Sequence, residues 1–70
     1  MNDDLDAFLA RLRVFLRAGV RGTAVAAAAG LRDRGVVIRS NRGTVIPGPV
    51  TIRRLHAGMD KIAAALQEAK

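Results

Sequence analysis

Apolar residues recur at three- and four-residue steps near the start of the chain: Leu5, Phe8, Leu9, Leu12, Phe15 and Leu16. On a helix these positions share one face, so the pattern predicts a helix from about Asp3 to Arg17. Asp3, Asp4 and Asp6 fall in its first turn, and Arg11, Arg13 and Arg17 in its later turns; the helix dipole favours both placements. Gly19 and Gly22 are its stop. A second stripe, Ile52, Leu55, Met59, Ile62 and Leu66, keeps a 3-4-3-4 spacing and predicts a long final helix. Pro47 and Pro49 form a rigid approach to it, and Thr51 is its expected N-cap. Gly58 either divides this helix in two or lets another element come close.

The middle of the chain is less regular. Thr23 is the expected N-cap of a short helix through Ala29, with Gly30 as its end. The alanines at 24 and 26–29 would let this helix approach a neighbour closely, as the first helix of a helix-turn-helix must. Arg32 to Ile46 supports two readings. Asp33 caps a helix that runs through Arg42 to a stop at Gly43; or the β-formers Val36, Val37, Ile38, Thr44, Val45 and Ile46 pair as a hairpin around Asn41-Arg42-Gly43. The expected fold is all-α, a small helix-turn-helix domain of four to five helices occupying residues 1–70. The alternative is α+β with a hairpin or wing at Val36–Ile46.

Composition changes the picture mainly through charge. Seventy residues with two aromatics and many alanines make one domain with a thin core, for which dimerisation or DNA binding would supply stability. Between Arg11 and Arg54 stand ten arginines and one acid, Asp33, giving +9 there against +6 for the whole chain. A GC-rich genome would favour arginine and alanine by codon usage, but it does not explain why the other acids sit at the two ends. Arginine's fork engages phosphate or guanine bidentately, so the bias suits nucleic acid. There is no cysteine, which excludes disulfides and thiolate metal sites and fits a reducing cytoplasm. The acidic start is the wrong charge for a signal peptide, and the uncharged run Gly22 to Leu31 is far too short to span a bilayer.

Ala26, Gly30, Leu31 and Val36 stand at the spacings of the common bacterial and phage helix-turn-helix pattern; Arg39 falls where an apolar residue is usual, so Ile38 or Ser40 takes up the packing. Phe15-Leu16, Gly43, Pro47-Gly48-Pro49-Val50-Thr51 and Arg54-Leu55, with Met59 at the helix continuation, follow one another in an order that resembles a group of small Cro/repressor-like regulators of alphaproteobacteria and their phages. They span Phe15 to Met59. Extra residues between Gly43 and Pro47, and Ser40 in place of leucine, depart from the pattern. The resemblance implies sequence-specific DNA binding, usually as a dimer, in transcriptional control.

Candidate contacts follow from side-chain chemistry. Arg34, Arg39, Asn41 and Arg42, on the segment expected in the major groove, are the candidate base readers: arginine suits guanine O6 and N7, asparagine suits adenine N6 and N7. Arg21, Thr23, Arg53 and Arg54 are the candidate phosphate contacts. Met59, Ile62 and Leu66 are the expected interface of a homodimer. His56, alone and without cysteine or a carboxylate cluster, is a boundary residue rather than a metal ligand or catalyst. Asp3, Asp4 and Asp6 could pair for acid-base work, but in a first helical turn they read as dipole partners; with no catalytic constellation and no phosphate-binding loop, no enzyme activity, cofactor, metal or small-molecule substrate is expected. The expectation is a cytoplasmic, double-stranded-DNA-binding regulator, of phage or prophage repressor type. The competing class is a protein-binding module, inhibitor or antitoxin-like, that docks through its amphipathic last helix. A basic membrane-surface helix fits less well, since most arginines lie outside that stretch.

Overall fold

The computed structural model describes residues 3–68, apart from the side chain of Asp3, so that part of the expected dipole pairing lies outside the described residues. Four helices follow one another: α1 (Asp3–Arg17), α2 (Gly22–Ala28), α3 (Val36–Arg42) and α4 (Pro49–Glu68). The chain is all-α.

α1 and α4 run parallel, side by side. Asp4 and Ala7 stand beside Pro49, Ile52 and Arg53; Phe15 and Ala18 stand beside Ala63 and Leu66. Midway, Arg11 reaches across to the His56 carbonyl oxygen and to Asp60, the latter at 2.5 Å. Antiparallel neighbours need only a short turn, but parallel ones need a crossover, and α2 and α3 are that crossover. Their inner residues close the core: Val25 and Ala26 of α2 and Val37 of α3 are fully buried with Phe8, Leu12, Leu55 and Met59, and Ile52 is nearly so.

α1, α2 and α3 stop in the same way. Gly19, Gly30 and Gly43 have φ of 93°, 75° and 83°, the left-handed region that a side chain disfavours. In each case the next residue donates its N–H to the carbonyl five positions back: Val20 to Phe15, Leu31 to Ala26 and Thr44 to Arg39, at 3.0–3.1 Å. These are Schellman stops. Each satisfies carbonyls that the helix itself leaves open.

Gly58 does not divide α4. It is buried, and a Cβ placed on it would lie 2.7 Å from the Ala29 nitrogen, 3.0 Å from the Val25 oxygen and 3.1 Å from the Ala28 carbonyl carbon. The α4 backbone therefore lies directly on the end of α2. The absence of a side chain here and the small residues of α2 together permit the contact.

Two expected caps are corrected, and of the two readings of the middle segment the helix is the one that forms. Thr23 does not cap α2: the helix begins at Gly22 after Arg21, whose carbonyl accepts from the Ala24 and Val25 N–H groups. Thr51 likewise lies inside α4, which starts at Pro49, and Ile52 donates to the Gly48 carbonyl at 2.9 Å. Proline has no N–H to leave open and its φ is already helical, so this start is locally favoured. The hairpin over Val36–Ile46 does not form; Val36–Arg42 is helix. Its β-branched residues cost a few tenths of a kcal/mol each in a helix, whereas complete burial of Val37 returns about 1.5–3 kcal/mol. Positions 37 and 40, three apart, both face inward only if the segment is helical. Ser40 takes the inward position rather than Ile38.

Candidate nucleic-acid interface

α3 has a buried back and an exposed front. Val37 and Ser40 are buried, while Ile38, Arg39, Asn41 and Arg42 are exposed. Arg34, in the preceding connection, is exposed as well. All four candidate base readers thus lie within or just before one short helix, on its solvent side. Ile38, 43% exposed, stands among them as an apolar group that the sequence offered only as an alternative to Ser40 for the packing position. Its β-branched neighbours hid this, because a run of three such residues carries no helical period.

The connection between α2 and α3 comprises residues 29–35. That is longer than the three or four residues of the usual helix-turn-helix turn. Half-buried Leu31 packs on the core and anchors its first part. Asp33 organises the second part: its Oδ1 accepts the Gly35 N–H at 3.0 Å, and its Oδ2 accepts from Arg39 Nη2. Asp33 was expected as the cap of α3. The helix starts three residues later, and the carboxylate acts on the turn that leads into it.

Arg39 is held from both directions. Its carbonyl accepts two hydrogen bonds from Thr44, one from the N–H and one from the hydroxyl, each 3.0 Å. Its guanidinium lies against Gly35, where an added Cβ would be 2.9 Å from Nη1. The side chain nevertheless remains 45% exposed.

The candidate phosphate contacts are more scattered. Arg21 precedes α2 and Thr23 lies in its first turn, both exposed. Arg53 lines a cavity of 340 Å³ with Asp4, Ala7, Pro49, Ile52 and His56, between the starts of α1 and α4. Arg54 is exposed on the same helix.

His56 is part of the α1–α4 seam. Its ring meets Phe8 edge-on at 5.9 Å between centroids, and its Nδ1 lies 3.0 Å from Arg11 Nη1. A guanidinium can only donate, so Nδ1 is the acceptor. Arg11 also lies over the Phe15 ring, 5.6 Å from its centre. Among the described residues no group of three His, Cys, Asp or Glu could hold a metal ion, and no helix is long and apolar enough to cross a membrane.

The expected dimer interface needs correction at one residue. Met59 is fully buried within the core of a single chain and has no surface to offer a partner. Ile62 is half-buried against that core, and only Leu66, 52% exposed, projects. Leu66 instead joins Val14, Phe15, Ala18 and Ala63 around an apolar groove of 230 Å³ between the ends of α1 and α4. Val14, 64% exposed, is the member that the α1 stripe omitted.

No family model, curated protein or solved structure matches this chain. The resemblance to Cro/repressor-like regulators therefore rests on the residues that carry it.

Proposed function

We propose that the protein is a cytoplasmic, sequence-specific binder of double-stranded DNA that acts in transcriptional control, as a phage or prophage repressor does. One observation carries most of this reading: α3 buries one side and exposes arginine, asparagine and isoleucine on the other. Those are the chemistries a major-groove helix uses, arginine for guanine, asparagine for adenine and an apolar group for the thymine methyl. The +9 between Arg11 and Arg54 supports the same partner, with Arg21, Thr23, Arg53 and Arg54 as phosphate contacts that set register.

A single seven-residue helix touches few base pairs, so genomic specificity calls for two copies on a two-fold axis. The groove of Val14, Phe15, Ala18, Ala63 and Leu66 offers an apolar surface for that contact. The same groove supports the competing reading, a module that docks on another protein and needs no DNA.

Salt separates the two. If Arg21, Arg53 and Arg54 each engage a phosphate, log affinity falls with log salt at a slope of about −2.7, whereas apolar docking has almost none. Mobility shifts over a salt series with random duplex and with the DNA preceding the reading frame measure this. Failure to bind any duplex at low salt refutes the proposal.

A further inference from the structure

Asp33 is the one acid between Arg11 and Arg54, and it lies beside the helix proposed to read bases. A carboxylate there weakens attraction to phosphate, so a surface selected only for charge would lack it. Its geometry is specific. One oxygen holds the turn through the Gly35 N–H, and the other holds Arg39 through Nη2. Gly35 completes the seat, since any side chain would crowd Nη1 at 2.9 Å and approach Asp33 Oδ1 at 3.5 Å. Both partners are more than two-fifths exposed, so the pair adds little to stability.

Resting on the DNA-binding reading above, we propose that Asp33 is a specificity-determining positioning residue: seated on Gly35, it fixes the Arg39 guanidinium for a guanine edge and keeps it from phosphate. Arginine has five N–H donors, and one oxygen of Asp33 takes one of them, which leaves enough for the bidentate contact to O6 and N7. The flexible side chain is then ordered when the protein folds rather than when DNA arrives, which lowers the cost of making the contact. Repulsion between the carboxylate and the DNA backbone disfavours the alternative in which Arg39 swings onto a phosphate. Asp33 accordingly trades affinity for discrimination.

That trade has a signature of opposite signs. A site is selected from a randomised duplex pool with the unaltered protein, and affinity for this site and for random duplex is measured for each variant. Asp33→Asn removes a negative charge and frees Arg39, so random duplex should bind roughly threefold or more tighter. The ratio of selected to random affinity should fall on the order of tenfold, with the loss confined to a guanine position. Gly35→Ala leaves the charge alone and displaces the guanidinium, so it should lower the ratio without tightening random binding. Its backbone, with φ of −83° and ψ of −8°, accepts alanine, so this variant tests the seat even if Asp33→Asn folds poorly. In an Arg39→Ala background, Asp33→Asn should cause no further loss of ratio.

Three results overturn the inference: an unchanged ratio in Asp33→Asn and Gly35→Ala, equal weakening on both duplexes, or a loss that persists without Arg39. Each leaves DNA binding itself standing. Absence of binding by the unaltered protein instead refutes the proposed function, and the role of Asp33 falls with it.

Discussion

Gly58→Ala reverses the usual sign of a helix substitution. In an exposed helix interior, glycine to alanine gains about 1 kcal/mol because the unfolded chain loses less freedom on folding. At Gly58 the new methyl would meet three backbone atoms of α2, at 2.7, 3.0 and 3.1 Å. None of them belongs to a side chain that can rotate aside. The Ala29 nitrogen and Val25 oxygen are moreover bonded to each other at 3.0 Å, so they move only with the end of α2. Overpacking of this kind costs about 1–3 kcal/mol and occasionally more. With the upper part of that range set against the propensity gain, the net loss is about 2 kcal/mol, a large share of what so small a domain holds. In a chain of this size it lowers Tm by roughly 8–16 °C. Far-UV circular dichroism on heating, with a urea series to confirm an unchanged slope, reads it directly. Gly22→Ala is the control. There a Cβ meets the Val37 and Ile38 Cγ1 atoms at 3.2 and 3.3 Å, side-chain rather than backbone atoms that need give only a few tenths of an ångström, so stability should stay within about 1 kcal/mol. A Gly58→Ala protein as stable as the original, or more so, would refute the direct seating of α4 on α2.

Ser40 buries a hydroxyl that has no hydrogen-bond partner among the described residues; Ser40→Ala should raise stability by about 0.5–1.5 kcal/mol in urea denaturation, and a loss would mean the hydroxyl is satisfied. Met59→Ala should cost about 2–5 kcal/mol, because it empties the core of a single chain. Leu66→Asp should leave the fold within about 0.5 kcal/mol when measured on the dilute monomer, and sedimentation should show loss of any self-association. Arg11→Ala removes the bridge to His56 and Asp60 and the cover on Phe15; a loss of about 1 kcal/mol is expected, and a thermal melt indistinguishable from the original would assign the bridge no role.

The two long helices were legible because their stripes persist for several turns, long enough for a 3.6-residue period to declare itself. α3 was legible only through the wider helix-turn-helix pattern, because its local preference points to strand and contact with α2 and α1 is what decides for the helix. The two threonine caps were misplaced for a related reason: a good capping side chain marks where a helix is allowed to start, while Gly48-Pro49 and the Arg21 carbonyl start it earlier without one. The exposed positions of Arg39, Asn41 and Arg42 follow once α3 is helical, while Arg34 is exposed in the connection before it. The pairing of Arg39 with Asp33 does not, since their separation of six residues matches no helical neighbour rule and arises from the loop between them. Assigning Met59 to an interface failed because a stripe of apolar residues does not say how far along it the chain's own α1 reaches.

The parallel pairing of α1 with α4 has a consequence for how the chain acquires its structure during synthesis. Arg11 and its partners His56 and Asp60 are 45 and 49 residues apart, so the seam closes one of the widest loops the domain contains. α2 and α3 lie between and are each only seven residues long, too short to be stable as isolated helices. Until α4 leaves the ribosome, Phe8 and Leu12 have no completed cavity to enter, and the first three helices remain an uncommitted nascent chain. Folding is thus deferred to the emergence of the fourth helix, and a ribosome stalled before Gly58 would present a protease-sensitive chain rather than a partial domain.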